Sequence, residues 1–223
     1  FKGGKDLLSI YCNLYPETTI FDGMNLRMGG STFLDNQEVK SYYGDVSGII
    51  IENLPFWVEV RSTPNNKISL MTEWESKIAA MATTSLREDV TSLAGVPSWM
   101  LVLLQRVLEL SGKKTIAEVW PNLELYMHGG VSFEPYRKQF CDIIGKDINY
   151  LETYNASEGF FGITDQVDSN ELLLMLDYGI YFEFIPMDQY QGTNSATISL
   201  SEVKIGLNYA LVISTNAGLW RYI

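Results

Sequence analysis

Apolar and polar positions follow two different rhythms along this chain. Up to residue 89 the apolar positions recur at helical spacing in isolated stretches. Leu7, Leu8, Tyr11 and Leu14 share one face of a helix predicted over Lys5 to Tyr15 and ended by Pro16. Trp74, Ile78 and Met81 share one face of a second helix over Thr72 to Thr83, a spacing that reads as core packing. Between them Thr18 to Phe21 and Asn25 to Met28 read as extended, and Asp45 reads as the cap of a helix through Ile49, Ile50 and Leu54 that Pro55 breaks.

From residue 90 short apolar runs alternate with amphipathic helices. Val90 to Ala94, Leu123 to His128 and Ile148 to Tyr154 read as strands. Between them lie a helix from a Ser98 cap through Leu110 to Gly112, and another over Phe133 to Ile144 closed by Gly145. This β-α-β-α-β order, with connections of a few residues, predicts parallel strands covered by helices. The loops Gly95-Val96-Pro97, Gly129-Gly130-Val131-Ser132 and Asn155 to Gly159 then share the rim at the C-terminal strand ends, where such sheets take ligands. Beyond residue 165, Leu172 to Leu176, Ile180 to Ile185 and Tyr209 to Thr215 have strand composition, with turn signals such as Asp177-Tyr178-Gly179 between them. The expected class is α/β: a mixed part over 1–89, a βαβαβ parallel layer over 90–160 and a hairpin-rich antiparallel sheet over 165–223.

Composition narrows the partners. With 223 residues, 46% of them hydrophobic, the chain can bury the core of one large domain or most of one. A formal net charge of -11 without long like-charge runs argues against a nucleic-acid surface, so an anionic ligand would depend on local amides or a metal. Cys12 and Cys141 have no ligand spacing and read as reduced structural thiols, with Cys141 expected buried in its helix, which suits a cytoplasmic protein. Trp99 to Leu104 and Leu172 to Leu176, the longest apolar runs, are far too short to span a bilayer, so no membrane partner is expected. The chain opens on Phe1 and stops after a Gly-Leu-Trp-Arg-Tyr segment that reads as a strand in progress, so it is expected to be part of a longer protein.

Candidate chemistry centres on Tyr154-Asn155-Ala156-Ser157-Glu158-Gly159, where a strand runs into a Ser-Glu-Gly turn. A hydroxyl, a carboxylate and backbone amides at a strand end can meet a phosphate and a hard cation, although the same residues also make an ordinary turn with a surface glutamate. Gly129-Gly130 lets a flat base or a phosphate approach the backbone, and Tyr154 offers a π face near it. His128, the single histidine, reads as held by packing and a backbone hydrogen bond, so no serine triad can be built on another. Gly29-Gly30-Ser31-Thr32 lacks the lysine of a phosphate loop and reads as a plain turn.

Six segments, taken in order, carry a wider resemblance: Gly3 to Tyr11, Leu93 to Trp99, His128 to Phe133, Tyr154 to Gly159, Tyr181 to Pro186 and Ala217 to Tyr222. Together they resemble the auxin-responsive acyl acid amido synthetases, especially bacterial-type members, of the adenylate-forming superfamily that includes acyl-CoA synthetases and luciferase. The resemblance implies the central part of the large domain of such an enzyme. It also implies use of ATP and Mg²⁺ to activate a small-molecule carboxylic acid for transfer to an amine or amino acid. Carried over, Tyr154 would flank the adenine with Gly129, Gly130, Val131 and Ser132 opposite; Asn155, Ala156 and Ser157 would line the phosphate region, and Glu158 would ligate Mg²⁺. The acyl group would lie against Gly95, Val96, Pro97 and Trp99, with Phe160 and Phe161 as candidate walls. The family's lysine-bearing phosphate loop would lie before Phe1, and its ribose-binding Arg-x-Gly-Asp element would begin where the chain stops, with Ile223 where plant members commonly have arginine. The family's mobile C-terminal domain would lie beyond Ile223, so the chain alone is expected to hold half an ATP site and not to turn over. An acyl-CoA ligase, or a non-catalytic binding module on the same fold, stays open as an alternative.

Overall fold

The computed structural model describes residues 2–36, 41–167, 169, 171–192 and 195–223. The chain begins with α1 (Lys2–Leu14), which buries Gly3, Leu7 and Tyr11. It starts before the expected Lys5, and Gly3 in its first turn lies against Phe160, where an added Cβ would be 2.8 Å from the ring. The helix is followed by β1 (Met24–Met28), β2 (Thr32–Asn36), β3 (Ser41–Gly44), α2 (Val46–Glu52), α3 (Phe56–Glu59), β4 (Ser62–Thr63), α4 (Asn66–Ser69) and α5 (Trp74–Ser85). Next come β5 (Val90–Gly95), α6 (Pro97–Ser111), α7 (Ile116–Val119), β6 (Leu125–Gly129), α8 (Glu134–Ile144) and β7 (Asn149–Ala156). The remaining strands are β8 (Gly159–Ile163), β9 (Leu173–Leu174), β10 (Ile180–Pro186) and β11 (Tyr209–Thr215).

Seven strands form one sheet in the order β4-β1-β5-β6-β7-β8-β9. The first five are mutually parallel, while β8 and β9 add on antiparallel. The parallel β5-β6-β7 core, with α6 and α8 in the crossovers, is the layer expected from the sequence. Both faces are covered, and β6 shows why. Its neighbours Leu125 and Tyr126 are fully buried in different clusters, Leu125 with Leu7, Tyr11 and Leu151 under α1, and Tyr126 with Met100, Leu104 and Phe140 under α6 and α8. Each such apolar side chain contributes about 1.5–3 kcal/mol by leaving water. A third cluster, Phe161, Ile180, Phe182, Phe184 and Ile213, joins β8 to the antiparallel β10-β11 pair.

Several local expectations are corrected. Val96, not Ser98, is the N-cap of α6, because Pro97 lacks an N–H and carries the φ of a first helical turn. Gly112 and Gly145 do close their helices in left-handed conformation, at φ 69° and 76°. Thr18 to Phe21 is coil and turn, its threonines engaged by Glu124. Asp45 occupies the N-cap of α2 but directs its carboxylate to the Ser31 amide at 3.3 Å. Cys141 is exposed on α8, where Phe140 and Ile144 are the buried residues.

Candidate functional site

Strand register brings the expected loops to one rim. Met28 pairs with Gly95, Ala94 with Met127, and Gly129 with Thr153, so β1, β5, β6 and β7 end side by side. Gly95 has φ +154° and lies so near β1 that a Cβ would sit 2.6 Å from the Met28 carbonyl oxygen. Its own carbonyl accepts the Tyr126 hydroxyl at 2.9 Å, which fixes the turn into α6. Gly130, at φ +83°, faces Val96, whose Cγ2 would be 3.5 Å from an added Cβ. The first and second loops therefore stand within reach of one ligand.

The loop after β7 is the tip of a hairpin. Ala156 pairs with Gly159 and Asn155 with Phe160, leaving Ser157 and Glu158 as the two turn residues. Ser157 is exposed and Glu158 half-buried, while Tyr154 is 50% exposed with its ring 4.9 Å from Phe161. Asn155 accepts the Thr153 hydroxyl at 3.3 Å, and Ala156, Val131 and Ser132 are exposed at the rim. Phe160 and Phe161 diverge: Phe160 lies against α1 and Tyr178, and Phe161 is buried against β10. Trp99 packs edge-on to Trp74 at 5.6 Å, on the helical side of the sheet.

Two neighbouring groups are not available for chemistry. His128 is 4% exposed, stacked 4.0 Å from Phe133, and pushed down to about 3 by burial and the nearby Arg137 charge, so it stays neutral. Its Nδ1 is buried without a partner, in place of the expected backbone hydrogen bond. The Gly29-Gly30-Ser31 turn is spent inward. Lys77 donates to the Gly29 and Gly30 carbonyls at 2.7 and 3.2 Å, and the Gly30 amide donates to Ser47 at 2.8 Å. Lys77 is itself buried, with its amine lowered by desolvation against the opposing charge of Asp45. The sequence reading missed it, although its position three residues after Trp74, on the apolar face of α5, was a signal.

A metal must be tested against this chemistry. No group of three or more His, Cys, Asp or Glu residues that could hold a metal ion occurs among the described residues. A hard cation carried mainly by phosphate oxygens, needing one protein carboxylate, fits Glu158; a cation caged wholly by protein does not fit. The open approach to Gly130 and the half-exposed Tyr154 ring fit a flat aromatic base.

Comparison with known proteins decides the family. The GH3 family N-terminal domain matches residues 1–148, and the GH3 family central domain matches residues 173–223. The chain belongs to the GH3 family. Among GH3 relatives, the jasmonoyl–L-amino acid synthetase JAR4 of Nicotiana attenuata is 35% identical over 116 residues, 48% of this chain and 19% of the relative. The 4-substituted benzoates-glutamate ligase GH3.12 of Arabidopsis thaliana is 30% identical over 171 residues, 68% of this chain and 29% of the relative. The solved GH3.15 acyl acid amido synthetase superposes over 99% of this chain with a TM-score of 0.69 at 14% identity, which establishes the shared fold. The chain spans 48% of that structure, about half its length.

Proposed function

We propose that the protein carrying this chain is an ATP-dependent ligase that activates a carboxylic acid as its adenylate and transfers the acyl group to an amine or amino acid. The observation that carries this reading is one constellation: Tyr154, Ser157 and Glu158 on a single hairpin tip, next to the Gly129-Gly130 turn, in a GH3 chain. Two relatives are named as ligases of an acid with an amino acid, and a GH3.15 structure is described in complex with 2,4-DB.

In this reading Tyr154 presents its exposed ring to the adenine, and the backbone of Gly129, Gly130, Val131 and Ser132 bounds the other side. Stacking of a base on an aromatic face is worth about 1–3 kcal/mol. Asn155, Ala156 and Ser157 face the phosphates, where the Ser157 hydroxyl can donate. Glu158 holds Mg²⁺. When bound, that ion supplies charge neutralisation at the phosphate oxygens as negative charge builds. The acid lies against Gly95, Val96, Pro97 and the start of α6 near Trp99; Phe160 and Phe161 support the hairpin from within. Residues 1–223 form part of one large domain in this account, with 90–160 its nucleotide-binding portion. No helix among the described residues is long and apolar enough to cross a membrane, and the cytoplasm, with its ATP, is the compartment we propose.

The test is exchange of pyrophosphate into ATP by the full-length protein across a panel of carboxylic acids, followed by a panel of acceptors. Acid-dependent exchange with amide formation is the expected result. Discharge onto coenzyme A alone would make it an acyl-CoA ligase. Absence of exchange with every acid, with ATP still bound, would make it a binding module.

A further inference from the structure

Arg27 carries a charge that the fold buries without fully pairing it. It stands one residue before the end of β1, and strand alternation fixes the way it faces. Leu26 and Met28 join the cluster of Ile78 and Met100 under α5 and α6, so Asn25 and Arg27 belong to the opposite face, the one that carries α1. There Asn25 donates to the Ser92 hydroxyl at 2.9 Å, and Arg27 stands in one row with Ala94 of β5 and Met127 of β6.

The guanidinium is 6% exposed. Its Nη2 donates to Asn66 Oδ1 at 2.7 Å, while Nε and Nη1 are buried and meet no acceptor among the described residues. Burial lowers its pKa to about 10, and the charge of Glu59 offsets that only in part. Glu59 is exposed, and its carboxylate accepts from Asn66 Nδ2 at 3.3 Å. Folded proteins keep buried charges paired, so two orphaned nitrogens on one guanidinium call for an acceptor.

The row beside Arg27 is open. Ala94 and Met127 sit on central strands yet are only half-buried, whereas Leu125 and Leu151 on the same face are buried under α1. A small and a flexible apolar side chain therefore border the cation just below the Gly95 turn. Between β1 and β7 lie β5 and β6, so Arg27 is three strand spacings, about 14 Å, from the strand that carries the Ser157-Glu158 tip. A carboxylate reacting at phosphates held by that tip cannot also meet Arg27. The other end of the same acid can.

We propose that Arg27 binds a second carboxylate at the far end of the acid, so that the site selects dicarboxylic acids over their monocarboxylic counterparts. This rests on the reading of the rim as an acyl-adenylating site. The apolar middle of such an acid crosses Ala94 and Met127, and its distal oxygens supply the acceptors that Nε and Nη1 lack. A planar guanidinium matches a carboxylate in shape as well as charge.

The experiment is calorimetric titration of the full-length protein, with α,β-methylene ATP present so that no adenylate forms, beside its melting temperature. Paired acids serve as probes: adipate with hexanoate, suberate with octanoate, terephthalate with benzoate. Wild type is expected to bind the diacid of at least one pair about 10–100-fold more tightly, the worth of hydrogen bonds to charged groups. Arg27→Met is expected to keep the melting temperature and bring the diacid down to the monoacid's affinity. Arg27→Lys, which keeps the charge without the planar fork, should retain part of the preference. A wild type without preference in any pair, or a preference undiminished in Arg27→Met, would overturn the proposal. Equal losses for diacid and monoacid in Arg27→Met, with a lowered melting temperature, would mark the arginine as structural and overturn it too. Pyrophosphate exchange with the same acids separates this outcome from that of the ligase reading. Exchange without an Arg27-dependent preference leaves the ligase and sinks the subsite, while the preference without exchange leaves the subsite and sinks the ligase.

Discussion

Two glutamates stand at opposite ends of the parallel strands, and their surroundings differ in one decisive respect. Glu124, just before β6, accepts the Tyr11 hydroxyl at 2.6 Å, the Thr18 hydroxyl, and the Thr19 amide and hydroxyl at 2.9 and 3.0 Å. Four donors fill the acceptor sites of a carboxylate. Glu158, beyond the C-terminal end of β7, meets no comparable set of donors among the described residues. A saturated carboxylate can only fasten what surrounds it. An unsaturated one on a half-buried hairpin tip keeps the capacity to bind a cation. Glu124 therefore staples the end of α1 to the sheet, and Glu158 is the group to which we assign chemistry.

The largest effect that would break this comparison concerns Glu158. Glu158→Gln in the full-length protein should lower acid-dependent pyrophosphate exchange by about a hundredfold or more, the scale of losing one group that stabilises developing charge. Its melting temperature should hold. Next, Glu124→Ala should destabilise folding by about 2–3 kcal/mol, read from denaturant midpoints, because several charge-assisted hydrogen bonds are lost. It should leave the Mg²⁺ dependence of ATP binding untouched.

Acidity sharpens the same point. Burial raises the Glu124 carboxyl, but hydrogen bonds from Thr18, Tyr11 and Thr19 outweigh it and hold the group below its ordinary value. A folded-state value below the unfolded one adds stability that is present above about pH 4.3 and is lost as pH falls through the lowered folded value. Glu124→Gln should flatten that acid limb in melting curves recorded against pH. The smallest effect is at the base: Tyr154→Ala should raise the KM for ATP by about tenfold, within the range of one lost aromatic stack, and Tyr154→Phe should stay near wild type.

Much of the scaffold could be read from the residues because local signals and tertiary structure agree there. The apolar runs of β5, β6 and β7 and the glycines that close α6 and α8 suffice for the parallel layer. β8 escaped because Gly159-Phe160-Phe161-Gly162 carries two glycines and gains its strand character from pairing with β7, a context that propensity does not contain. Thr18 and Thr19 look extended by composition, yet their hydroxyls serve a glutamate more than a hundred residues away. At the rim, Tyr154 and the Ser157-Glu158 tip were visible as a motif. Lys77 acts through contacts with a segment nearly fifty residues away, and its place on the apolar face of α5 was the one sequence signal of it.

The central claim is that the C-terminal rim, and not its opposite end, binds the metal-nucleotide. ATP titrations of Glu158→Gln and Glu124→Gln full-length proteins, each with Mg²⁺ and with EDTA, test it most directly. The account predicts that Glu158→Gln loses the affinity gained from Mg²⁺ and that Glu124→Gln retains it. The reverse pattern, or an undiminished gain in both proteins, would contradict it.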